Sequence, residues 1–93
     1  MGRVIVSSAK FRRAYHRLPG AERQLIDYAL RQLATYLDTR HASVGLGIKK
    51  LAAGVFEVRA GLSLRIVYVE EGPRVVLALL GNHDEVHRFL KRQ

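Results

Sequence analysis

Two of the four histidines, His83 and His87, stand four residues apart in the stretch GNHDEVHRFL, directly after the apolar run VVLALL. A spacing of four sets two side chains on one side of a helix. Imidazole is the side chain whose ordinary pKa lies nearest neutrality, so a pair can act as general base and general acid in one turnover. Arg59 in VFEVRA and Arg65 in SLRIVYVE lie on neighbouring stretches of β character. Guanidinium groups hold phosphate bidentately and stabilise the charge that a phosphoryl transition state gains. There is no nucleotide P-loop, and Asp84 and Glu85 alone are too few to hold magnesium. Metal-free cleavage of a phosphodiester then needs a nucleophile inside the substrate. RNA carries one in its 2′-hydroxyl and DNA does not. The residue types therefore point to a metal-independent ribonuclease with Arg59, Arg65, His83 and His87 as its catalytic candidates. Histidines at this spacing also suit zinc, but no third ligand is evident. In a plainer reading His83 caps the helix start and His87 lies half exposed against the sheet.

The elements that must bring these residues together can be read from periodicity. RVIV (3–6) is a short strand, and SSAKFRRAYHRL turns helical, with Phe11, Ala14, Tyr15 and Leu18 on one stripe and Ser7 or Ser8 as N-cap. Pro19-Gly20 ends that helix. A second runs from about Ala21 to Asp38, with Leu25 or Ile26, Ala29, Leu30, Leu33, Ala34 and Leu37 as its apolar side. So short a link makes the two an antiparallel hairpin. Residues 39–47 read as a loop. GIKKLA, VFEVRA, SLRIVYVE and RVVLALL follow as strands, and HDEVHRFLKR closes as a short helix resting on Val86, Phe89 and Leu90. The expected architecture is α+β, β-α-α-β-β-β-α, a mostly antiparallel sheet with its helices on one face, the helical hairpin foremost.

Period-two alternation opposes Phe56 and Val58 to Glu57 and Arg59, and Leu64, Ile66 and Tyr68 to Arg65, Val67 and Val69. A three-residue loop at Gly61–Ser63 pairs Phe56 with Tyr68 and Val58 with Ile66, and sets Arg59 opposite Arg65. Like charges in that position destabilise a strand pair, so they either turn outward, pair with Glu57, or await an anion. A two-residue turn at Glu71-Gly72 would put Val67 beside Val76, Arg65 beside Ala78, and Leu80 beside Ser63. His83 would then leave the sheet close to both arginines.

The composition agrees. The chain has 93 residues, enough for one domain with a thin core, and 48% are hydrophobic. Sixteen Lys and Arg against eight Asp and Glu give +8. Twelve of those sixteen are arginine. The natural partner is a polyanion, either nucleic acid or an acidic protein, although a basic surface can also serve solubility alone. No helix combines a basic face with bulky exposed apolar residues, which argues against a membrane surface. No apolar run reaches membrane-spanning length, the first residues lack a signal-peptide core, and MGRVIVS departs from the myristoylation pattern. With no cysteine there are no disulfides or thiolate zinc sites. A cytoplasmic protein is expected.

The stretches SSAKFRRAYHRLPG, KKLAAGVFEVRAGLSLRIVYV and VVLALLGNHDEVHRFLK together resemble the RelE/ParE superfamily of toxin–antitoxin toxins over nearly the whole chain. The resemblance implies the fold just derived. It also implies a small basic endoribonuclease of the RelE branch that cleaves mRNA in the ribosomal A site without a cofactor. The implied partners are mRNA, the ribosome and a cognate antitoxin. By the same resemblance Arg65 matches an arginine that stabilises the transition state, and Arg59 a basic position of the active-site strand. His83 falls where many members carry an arginine that assists the leaving group. His87 falls where many carry a tyrosine and some a catalytic histidine. Glu57 departs from a position that is often basic, which leaves His87 as base and His83 as acid or phosphate contact, roles that can be exchanged. Lys49, Lys50 and Arg88 are candidate RNA contacts, with a solvated strand edge as the plainer reading of Lys49 and Lys50. The ParE branch, which poisons DNA gyrase by binding, is the alternative, and a module that only binds its antitoxin is a third.

Overall fold

Four consecutive apolar-rich strands, of which the second and third alternate, produce the sheet on which everything else rests. The computed structural model describes residues 3–40 and 46–92. Its elements are β1 (Val4–Ser7), α1 (Ala9–Arg17), α2 (Gly20–Thr39), β2 (Ile48–Ala52), β3 (Val55–Ala60), β4 (Leu64–Glu71), β5 (Arg74–Gly81) and α3 (His83–Lys91). The strand order is β1-β5-β4-β3-β2. All neighbours are antiparallel except β1, which runs parallel to β5. The segments expected as helices and strands are all present within a residue or two. The four strands after the helical hairpin make the order β-α-α-β-β-β-β-α, one strand more than the expected formula β-α-α-β-β-β-α counts. Part of the expected 39–47 loop, residues 41–45, lies outside the described residues, as do the first two residues of the myristoylation reading. Among the described residues no helix is long and apolar enough to cross a membrane.

The helical hairpin covers one face of the sheet. Phe11 of α1 and Ile26, Ala29, Leu33 and Leu37 of α2 are buried against Val58, Ala60, Ile66, Tyr68, Val75, Leu77 and Leu80. Of the expected α2 stripe, Ile26 rather than Leu25 faces the core, and Leu25 remains 43% exposed. Ala34 is exposed as well. Ser8 is the N-cap of α1, its hydroxyl accepting the Phe11 N–H at 3.1 Å. The helices are tied by the Tyr15 hydroxyl, which donates to Asp27 at 2.7 Å. Ionising the phenol would break that bond and set a phenolate beside a carboxylate, so the bond, with some burial, raises the Tyr15 pKa.

One expectation is overturned here: the helices do not share a face. The third helix packs on the opposite side, where Val86, Phe89 and Leu90 meet Val55, Val67, Leu79, Leu51 and Val69. This is the face carrying the odd-numbered residues of β3 and β4, hence Glu57, Arg59 and Arg65.

The β3–β4 register is as expected, with Phe56 on Tyr68, Val58 on Ile66 and Arg59 on Arg65. The β4–β5 register is not. The turn is Gly72-Pro73, so Glu71 pairs with Arg74 and Val69 with Val76. The physical reason is local. Gly72 takes φ 59°, the left-handed first position that a tight hairpin turn requires, and Pro73 has no N–H to give a ladder. A bulge then follows, because Tyr68 pairs with Leu77 while Val67 pairs with Leu79, leaving Ala78 as the extra residue. The start of α1 is fastened to it: Ser8 N–H donates to Leu77 O at 3.0 Å and the Ser8 hydroxyl to Ala78 O at 3.3 Å. The bulge turns Leu79 toward α3 and returns Leu80 to the hairpin face. Arg65 therefore stands beside Gly81, not Ala78, and Leu80 beside Ile66, not Ser63.

Candidate active site

Beside Gly81 the last strand ends, and α3 begins directly above the arginine-bearing hairpin. Asn82 is the N-cap of α3. Its side-chain oxygen accepts the Glu85 N–H, and the Glu85 carboxylate accepts the Asn82 N–H, both at 2.9 Å. This reciprocal box fixes the entry angle of the helix. A Cβ on Gly81 would lie 2.7 Å from the Glu85 carboxylate oxygen, so only glycine lets that carboxylate fold back. The cap belongs to Asn82 and not to His83, which is the first helical residue and exposed. One turn on, the exposed His87 brings its ring centroid to 4.6 Å from that of His83.

The two imidazoles stand over a concavity of about 280 Å³ lined by Lys49, Glu57, Arg59, Arg65, His83 and His87, with Leu51, Val86 and Leu90 as its apolar lining. Five of the candidate residues thus meet at one place: Arg59, Arg65, His83, His87 and Lys49. Lys50 and Arg88 do not join them. Lys50 pairs in register with Phe56, one step out of phase with Lys49, which pairs with Glu57. Arg88 lies across α3 in a separate groove with Lys10, Leu79, Glu85, Phe89 and Arg92.

Charge in the concavity is unbalanced. Three fixed cations, Lys49, Arg59 and Arg65, surround the single carboxylate of Glu57. Arg65 is held from two sides. Its terminal nitrogen donates to the Leu64 carbonyl at 3.2 Å, and its Nε lies 3.8 Å from Glu57 Oε2, a charge contact too long for a hydrogen bond. Both side chains are largely shielded, at 16% and 13% exposure, so Arg65 is oriented before any substrate arrives. Arg59 is exposed and makes no ion pair among the described residues. Sequence reasoning had Glu57 as a possible partner of the arginines, and it is one for Arg65 alone. It missed the apolar lining and the Asn82–Glu85 box, whose N-x-x-E spacing was a readable cap signal.

The arrangement can bind an anion between Arg59, Arg65 and Lys49, with two proton-transfer groups beside it. Among the described residues no three of His, Cys, Asp and Glu are grouped as metal ligands.

No protein-family model and no curated protein matches the sequence. Solved structures do. A structure of the RelB–RelE antitoxin–toxin complex from Methanococcus jannaschii matches with TM-score 0.67 at 15% identity, covering 90% of this chain and 96% of that one. A DinJ–YafQ complex from E. coli gives 0.70 at 15%, covering 90% and 97%. A metal-bound toxin from Helicobacter pylori gives 0.65 at 20%, covering 90% and 98%. At these identities the likeness is one of backbone architecture, and it shows that the chain has a RelE-like toxin fold.

Proposed function

We propose that this protein is the toxin of a type II toxin–antitoxin system and an endoribonuclease that cleaves mRNA without a metal ion. The observation that carries the reading is the meeting of Arg59, Arg65, His83 and His87 over one basic concavity. The antitoxin complexes of RelE and YafQ among the similar structures support the toxin role and a protein partner of that kind.

In this reading the scissile phosphate is held by Arg59 and Arg65. One imidazole, assigned to His87, takes the proton of the ribose 2′-hydroxyl. The 2′-oxygen attacks phosphorus, and the extra negative charge falls between the two guanidinium groups. The bond to the 5′-oxygen breaks, and His83 supplies the proton that oxygen needs. The products are a 2′,3′-cyclic phosphate and a 5′-hydroxyl. Glu57 keeps Arg65 in place, and Lys49 adds charge at the rim. Translating ribosomes present the mRNA.

Induction in a bacterium, followed by mapping of mRNA ends and of the SOS response, tests this. The reading expects new mRNA ends with a cyclic phosphate and no DNA damage, and loss of growth inhibition in soluble His87→Ala and Arg65→Ala proteins. Gyrase-dependent DNA breaks with intact mRNA would instead make it a gyrase poison.

A further inference from the structure

The groove that received Arg88 is a second basic surface, separated from the concavity by the body of α3. Its cations are Lys10, Arg88 and Arg92, and none of them makes an ion pair among the described residues. Its one carboxylate, Glu85, is occupied in capping Asn82. Lys10 lies in the first turn of α1, where no acidic residue balances it and the helix dipole opposes a cation. A residue in that place costs stability and calls for another use.

The two grooves are joined. At about 100° per residue, His87, Lys91 and Arg88 follow one another round the exposed side of α3 in steps of about 40–60°, and Arg92, the C-cap residue just beyond Lys91, lines the groove beside Arg88. All four are exposed. This arc starts in the concavity at His87, crosses the C-terminal half of the helix, and ends against Lys10 in the groove. Asp84 sits at the other end of the helix, away from the crossing.

We propose that a single RNA strand bound in the concavity continues along this arc, so that the footprint spans α3 and ends on Lys10 and Arg92. The inference rests on the ribonuclease reading and extends it. Phosphates beyond the scissile one meet fixed cations, and the contact is indifferent to base identity because it is electrostatic. A helix with its side chains is about 10–12 Å across, so a very short oligonucleotide fills the site without reaching the groove.

The test measures binding of 2′-O-methylated single-stranded RNA, which keeps the phosphates and lacks the nucleophile. Two lengths are compared, about three and about twelve nucleotides, the latter within the range that single-strand-binding surfaces cover. The wild type should bind the longer RNA at least about tenfold tighter, and the Lys10→Gln/Arg92→Gln double variant should lose that gain. The slope of log K against log salt should fall by about 1.4 for the longer RNA, about 0.7 per cation removed. Binding of the short RNA should not change. Equal affinity of the wild type for both lengths, or an unchanged slope in the variant, would overturn the extended footprint alone. Wild-type protein that binds neither RNA would overturn the footprint, and only protein that also leaves mRNA on translating ribosomes intact would overturn the ribonuclease reading beneath it.

Discussion

Replacing Arg59 with glutamine should make the protein more stable and less active at once. Arg59 stands directly opposite Arg65 on β3 and β4. Opposed Cβ atoms in an antiparallel pair are about 4.5–5.5 Å apart. With the charge centres about 7 Å apart and an effective dielectric of about 20–80, the repulsion is roughly 0.6–2.4 kcal/mol. Arg59 is exposed, which allows screening, and Glu57 already neutralises part of the Arg65 charge. The lower end therefore applies, about 0.5–1 kcal/mol. For a chain of this size that is about 2–8 °C in Tm. Removing one donor from a developing anion typically lowers the chemical rate by about 10²–10³, and because Arg59 is exposed and makes no ion pair among the described residues the lower figure, about 10², applies. Thermal melts at low and high salt, with single-turnover cleavage of mRNA on ribosomes, read both quantities. The stabilisation should shrink as salt screens the wild-type repulsion. An Arg59→Gln protein that melts lower than wild type at low salt, or that cleaves at the wild-type rate, would refute the claim that the pair is kept for anion binding against its own repulsion.

Asn82→Ala removes the cap that sets the entry angle of α3 and should lower stability by about 1 kcal/mol. Cleavage should fall by more than the loss of folded protein accounts for, because His83 and His87 both ride on that helix; melts and rate measurements on the same samples separate the two effects. Tyr68 is buried at 1% exposure, and burial, with the nearby Tyr36 and Glu70, pushes its pKa up to about 12. The folded state thus holds this proton more tightly than the unfolded one, so its contribution is complete below about pH 10 and disappears as pH rises through about 12. Between those limits the wild type should lose about 2–3 kcal/mol more than Tyr68→Phe in denaturant titrations; parallel curves would contradict the burial argument. Gly61 takes φ 67°, and a Cβ there would lie 2.8 Å from Leu25 Cδ1, so Gly61→Ala should destabilise by about 1–2 kcal/mol, read as a lower urea midpoint.

Most of this fold can be read from the sequence because its strands alternate cleanly. The β3–β4 hairpin shows why. Phe56, Val58, Ile66 and Tyr68 fix the register through their shared apolar face, and Arg59 then has to face Arg65. The β4–β5 pair lacks that clarity. RVVLALL is apolar at every position after its arginine, so no polar side chain marks which residue faces which way. The bulge at Ala78 uses this freedom, and it is fastened from outside the strand pair by Ser8, which bonds to Leu77 and Ala78. The placement of α3 was hidden for the same reason, since Leu79 and Leu80 turn to opposite faces. The site stayed legible despite these errors. Moving the turn by one residue shifts each strand partner by two, and with the one-residue bulge this brings Gly81, not Ala78, beside Arg65, and the helix bearing His83 starts two residues later.

The central claim is that the substrate's own 2′-hydroxyl is the nucleophile. It is tested most directly with an mRNA carrying a single 2′-deoxynucleotide on the 5′ side of the mapped cleavage position, translated in an extract with the purified protein. The account predicts that the unmodified message is cut there to a 2′,3′-cyclic phosphate and that the substituted message stays intact at that position. Cleavage of the deoxy-substituted message at the wild-type rate would contradict it.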